Sequence, residues 1–300
     1  MDNNGNCSFE EALGRRGILI LDGAVGTMLM EGGASGCERL NVSQPDAVAC
    51  LHRQYVAAGA DIITTNTTCA NSMMCHDGMD ALMARRGAEI AVGVARECSA
   101  CRVWVAGSMG GMWMSLTKHP ERTAEAEAAF REQAEALMQG GVDLLLVETC
   151  FDVQNALAAM RAISGAEAAL GQSVPVVVSG TVADAGGRLA SGETLEQLYE
   201  AVSGVGKVAA FGLNCSFGVE DGNGLDGLVA RLSGGIDVPI VLYPSAGMPD
   251  SSGKYATTAD RFADVVSTVA LRHGVKVAGG CCGTTPEYTR RMAVRLKAHG

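Results

Sequence analysis

The chain of 300 residues is 48% apolar and carries 23 basic against 33 acidic side chains, a net charge of −10. That apolar content supports a sizeable core and excludes disorder and coiled coil, while the negative field disfavours phosphate backbones and anionic lipids, so no nucleic acid and no membrane partner is expected. No stretch offers the ~20 apolar residues of a bilayer span, and the opening residues have no apolar run behind their charges, so a cytoplasmic, soluble protein is expected.

In chain order, eight short runs rich in Val, Ile and Leu lie at residues 18–22, 61–66, 103–108, 142–148, 174–180, 208–215, 238–243 and 275–279. They lack the polar alternation of half-exposed strands and read as strands buried on both faces. Segments of helical periodicity separate them, at 45–58, 79–98, 121–139, 153–170, 193–202 and 257–273. The mean repeat of roughly 37 residues suits a strand–helix unit of a (β/α)8 TIM barrel, which closes at about 250 residues. One α/β barrel domain over residues 1–300, with a short N-terminal extension to about residue 16, is therefore expected. An open doubly wound sheet is the alternative, although it rarely carries eight such even repeats. The Gly-rich stretches 218–227 and 245–254 read as the loosest segments, and both follow strands.

In a barrel, the carboxyl ends of the strands share the face where chemistry sits. Those ends carry Asp22-Gly23, Thr64-Thr65-Asn66, Glu148-Thr149-Cys150, Asn214-Cys215-Ser216 and Gly279-Gly280-Cys281-Cys282-Gly283. Eleven cysteines in a chain this large favour reduced thiols, some of them metal ligands, over a disulfide framework. Adjacent strand residues point to opposite faces, so Cys281 and Cys282 serve one site only if the backbone twists, which the flanking glycines permit. With Cys215 as a third sulfur they would form a tris-thiolate zinc site whose open fourth position implies catalysis. A phosphate cradle before the helix start at Thr285-Pro286 is the other functional reading. Packed core thiols and turn glycines are the plain structural one. A tris-thiolate zinc activates water weakly but holds a substrate thiol as the nucleophilic thiolate. Asp22 and Glu148 would hold a substrate ammonium and the backbone at Gly23 a carboxylate, which together describe an amino-acid thiol.

LDGAVGTML at 21–29, LNVSQPDAV at 40–48, AGADIITTNT at 58–67, GLNCSFG at 212–218 and GGCCGTTPE at 279–287 resemble the homocysteine methyltransferase family, in particular the homocysteine-binding barrels of cobalamin-dependent methionine synthases. The resemblance implies one Zn2+ per chain held by the catalytic residues Cys215, Cys281 and Cys282. It places Asp22, Gly23, Glu148 and Asn214 around the amino-acid group of homocysteine. It further implies methyl transfer to homocysteine, giving methionine, from methylcobalamin or another methylcorrinoid on a separate corrinoid protein. A small sulfonium or betaine-like donor, such as S-methylmethionine, is the enzymatic alternative. A non-catalytic zinc- or thiol-binding barrel is the other.

The rim departs from the family pattern. Asn66-Thr67-Thr68-Cys69 replaces Asn-Thr-Phe-Gly, Gly110-Gly111 replaces Gly-Pro, Cys150 stands where Phe is common, and Ser245 replaces an Asn. Cys98 and Cys101 have a redox or zinc spacing but precede the third strand, which puts them toward the opposite face. His119 reads as a solvated loop residue, and Met109, Met112 and Met114 around Trp113 as core or rim packing.

Overall fold

The computed structural model describes residues 7–15, 17–30, 36–75, 78–98, 102–182, 184–216, 219, 222–251 and 253–298. Eight strands, β1 (Leu19–Ile20), β2 (Ile62–Thr64), β3 (Trp104–Gly110), β4 (Leu144–Cys150), β5 (Val176–Gly180), β6 (Ala210–Cys215), β7 (Ile240–Pro244) and β8 (Val277–Ala278), pair in parallel in the order β1-β8-β7-β6-β5-β4-β3-β2. A parallel bridge from Leu21 to Ile62 joins the two edges, with the Asp22 amide donating to the Ile62 carbonyl at 2.9 Å. The expected (β/α)8 barrel is the architecture found. β1 and β8 are shorter than their apolar runs, although backbone bonds such as that from the Gly280 amide to the Asp22 carbonyl at 3.2 Å continue toward the mouth.

The helices at α4 (Pro45–Ala57), α5 (Asp80–Glu97), α6 (Thr123–Gln139), α7 (Val153–Leu170), α8 (Leu195–Ser203) and α10 (Ala259–His273) follow the periodic segments closely. α11 (Pro286–Lys297) starts where Thr285 and Pro286 signal it, with the Thr285 hydroxyl accepting from the Glu287 amide at 3.3 Å. Besides α11, four α-helices among the described residues lie outside those segments: α1 (Phe9–Leu13), α2 (Val25–Met30), α3 (Leu40–Ser43) and α9 (Gly222–Gly235). Over residues 222–227, α9 corrects the expectation of a loose stretch at 218–227. Leu225, Leu228, Val229 and Leu232 recur at helical spacing and are all buried, and that burial outweighs the low helix propensity of the glycines.

Residues 7–15 of the N-terminal extension pack onto the core. Phe9, Ala12 and Leu13 of α1 are buried against barrel-lining residues that include Leu21, Ile62, Leu144, Val177 and Val277. The Phe9 ring meets Trp104 edge-on at a centroid distance of 6.3 Å. This seals the end of the barrel opposite the strand carboxyl termini. Within the wall, a Cβ at Gly212 would lie 1.8 Å from the Val241 carbonyl, so only glycine allows β6 this close to β7. Among the described residues no helix is long and apolar enough to cross a membrane.

Candidate active site

Cys215 ends β6, and Cys281 and Cys282 follow β8, so the three enter the mouth from strands flanking β7. Cys215 (φ 52°) and Ser216 (φ 57°) are left-handed, a conformation rare outside glycine, and turn the chain over the barrel. The Cys281 amide donates to the Pro244 carbonyl at 2.8 Å, and the Ala246 amide to the Cys282 carbonyl at 2.9 Å. Gly280 packs so tightly that an added Cβ would meet the Thr284 side chain at 2.6 Å. The turn thus brings both neighbouring sulfurs to one side. The Cys215 sulfur lies 2.6 Å from that of Cys281 and 3.7 Å from that of Cys282. All three fall within 4.8 Å of one another, the one such group of His, Cys, Asp or Glu among the described residues.

These thiols do not ionise alike. Hydrogen bonds from Cys215 and Cys281 pull Cys282 down to about 3. Bonding to Cys215 and Cys282, together with burial, pushes Cys281 well up. Cys215, despite a lowering bond from Cys281, rises to about 12 through its bond to Cys282 and its burial. One negative charge is therefore held readily, and further thiolates call for a cation. Zinc–sulfur bonds of about 2.3 Å in tetrahedral geometry put sulfurs about 3.8 Å apart. The Cys215–Cys282 separation of 3.7 Å meets that, and the closer Cys215–Cys281 pair would spread on metal binding. The donor set fits a zinc ion.

The sulfurs form part of a cavity of about 410 Å³ that Asp22, Gly23 and Glu148 also line. Asp22 is buried at the end of β1; its carboxylate accepts from the Thr64 amide at 2.7 Å and the Thr64 hydroxyl at 3.1 Å, and burial raises its pKa well above the ordinary value. Glu148, near the end of β4, accepts from the Ser108 hydroxyl at 2.5 Å, and burial pushes it up to about 7. Ser108 in turn is hydrogen-bonded to Thr68 at 2.8 Å.

Asn214, expected around the substrate, is fully buried, accepts from the Thr149 amide at 2.9 Å and points its own amide at the Cys281 sulfur, 3.8 Å away. Ser108, Ser179 and Tyr243 were not singled out from the sequence. Each ends or nearly ends an apolar run at the mouth, the signal that flagged Glu148.

Of the rim departures, Thr68, Cys69 and Gly111 line the cavity, whereas Cys150 and Ser245 are buried. The Gly111 amide donates to the Glu148 carbonyl at 3.1 Å, a bond that proline lacks. Trp113 stands 78% exposed on the cavity rim while Met109 and Met112 are buried, so this segment divides between rim and core. His119 is exposed beside Glu121 at 3.3 Å. Residues 1–6 of the extension, Cys101 of the Cys98–Cys101 pair, and Phe217 and Gly218 of the sixth-strand motif lie outside the described residues.

The family model for homocysteine S-methyltransferase matches residues 19–296. The chain belongs to the homocysteine S-methyltransferase family. Among solved structures, this family member is similar to the metallated form of the homocysteine methyltransferase MmuM from Escherichia coli, at 24% identity and a TM-score of 0.77, over 95% of this chain and 98% of that one. The apo form of MmuM matches at 24% identity and a TM-score of 0.73, over 94% and 97% of the two chains. The oxidised form matches at 22% identity and a TM-score of 0.74, over 96% and 98%. At these identities the likeness bears on the fold.

Proposed function

We propose that this homocysteine S-methyltransferase takes the thiol of homocysteine at a zinc ion held by Cys215, Cys281 and Cys282, and methylates it to give methionine. The observation that carries the reading is the set of three sulfurs within 4.8 Å of one another on the wall of a cavity large enough to admit an amino acid. A bound zinc would supply the positive charge that keeps the substrate sulfur deprotonated at neutral pH. The chain's own groups do the rest. Glu148 and Asp22 receive the ammonium, the backbone around Gly23 faces the carboxylate, and Asn214 orients Cys281 from behind. Fixing both ends of the acceptor leaves its sulfur aimed at the mouth, where proximity to the methyl donor lowers the barrel's share of the barrier.

For the donor we favour methylcobalamin or another methylcorrinoid presented by a separate protein. Trp113 and Met30 expose apolar surface on the cavity rim, and Met248 does so in the loop after β7, an apolar border suited to a macrocycle laid over the mouth. A small sulfonium donor is the second reading, favoured by a cavity that Asp22, Glu38 and Glu148 line with no Lys, Arg or His among the described residues. Loss of methylcobalamin absorbance on adding zinc-loaded protein, dependent on homocysteine and matched by methionine, is the expected result. Methionine formed from S-methylmethionine and not from methylcobalamin would overturn the corrinoid reading. Cys282→Ser should abolish stoichiometric zinc and activity together, and full activity in the zinc-free variant would refute the metal site.

A further inference from the structure

The hydroxyl hydrogens behind the cavity can be assigned one by one. The Thr149 amide donates to Asn214 Oδ1 at 2.9 Å, which fixes the orientation of the Asn214 side chain. Ser179 Oγ lies 2.8 Å from that same oxygen, and only the Ser179 hydrogen can occupy the gap. Tyr243 Oη lies 2.5 Å from Ser179 Oγ, so its hydrogen must be the one between them. Tyr243 is thereby left with lone pairs alone to offer elsewhere. The Glu148 carboxylate is itself an acceptor that already takes the Ser108 hydrogen at 2.5 Å. Tyr243 also lines the cavity with Glu148. With Glu148 ionised, two acceptors face the same cavity, and a ligand that brings donors would satisfy both.

We infer that Tyr243 is a substrate-binding residue, held as an acceptor by Ser179 and Asn214 so that it and Glu148 together receive the ammonium of the acceptor amino acid. An ammonium brings three donors and no acceptor, which suits this pair. A hydroxyl can supply one donor and a water two, neither with a positive charge. The chain from Tyr243 through Ser179 to Asn214 ends at Cys281, so the groups that read the amino end and those that hold the sulfur share one hydrogen-bonded frame. The inference rests on the proposed homocysteine site and adds to it how that site distinguishes an amino-acid thiol from a plain one.

The test is calorimetric titration of zinc-loaded wild type, Tyr243→Phe and Ser179→Ala with homocysteine and with 4-mercaptobutyrate, the same thiol acid without its amino group. Tyr243→Phe should weaken homocysteine about tenfold and leave 4-mercaptobutyrate nearly unchanged. Ser179→Ala releases the tyrosine hydrogen to point at Glu148, and should erode the same preference while the tyrosine remains. Zinc content and unfolding midpoint establish that each variant is folded. A Tyr243→Phe protein that is folded and zinc-loaded, and prefers homocysteine as strongly as wild type does, would overturn the inference while leaving the homocysteine site intact. Wild type that binds neither thiol would remove the site itself and this role with it.

Discussion

Burial carries Glu148 from 4.5 to about 7, so the folded protein retains a proton that the unfolded chain releases. Its contribution is present below pH 4.5 and lost as pH rises through 7, a change of roughly 3 kcal/mol across that window. Glu148→Gln removes the penalty, and its amide can donate to Tyr243 while its carbonyl accepts from Ser108. The metal-free variant should therefore unfold at higher temperature than wild type at pH 8, with the gap closing toward pH 5, and should lose homocysteine binding. A variant destabilised at pH 8 would contradict this. His52 works in the opposite sense. It is fully buried with no partner for either ring nitrogen among the described residues, and burial lowers it from 6.5 to about 4. Its contribution is present above pH 6.5 and lost as pH falls through 4, so His52→Leu should flatten the acid limb of the stability profile measured by denaturant titration.

At the scale of elements, α1 makes a testable difference between folding and function. Phe9 is 3% exposed and packs on the barrel lining, so Phe9→Ala should cost about 3–5 kcal/mol, seen as a lower urea midpoint, without changing zinc stoichiometry. Loss of zinc at a temperature where the variant remains folded would show instead that the plug shapes the mouth. This helix was not legible in the sequence because five residues are too few to establish a period. α9 was hidden for another reason: glycine lowers local propensity, and only the burial of its leucine face reveals the helix. The strands were legible because a parallel barrel buries both faces and leaves uninterrupted apolar runs. Their ends marked the cysteines, Asp22 and Glu148. Strand position marked Asn214 at the end of β6, but it does not say whether a side chain lines a cavity or supports a neighbour that does.

Across the whole molecule, the barrel separates the apolar plug at one end from the sulfurs at the other, so metal binding and core packing should contribute independently. A zinc ion bound only by the folded state would add about 4 kcal/mol at a thousandfold excess over its dissociation constant. At about 1.6 °C per kcal/mol for a chain this long, chelation should lower the unfolding midpoint by roughly 6 °C. The sign with pH follows from the thiols. Cys215 rises to about 12 and Cys281 well above its ordinary value in the absence of metal, so binding must displace protons. The midpoint difference between metal-loaded and chelated protein should accordingly shrink as pH falls from 8 to 6, and it should vanish in Cys282→Ser. Phe9→Ala should lower both midpoints by similar amounts and preserve the difference. A metal-dependent shift that survives in Cys282→Ser would move the ion away from the three sulfurs, and a shift that does not depend on pH would mean that binding displaces no proton from them.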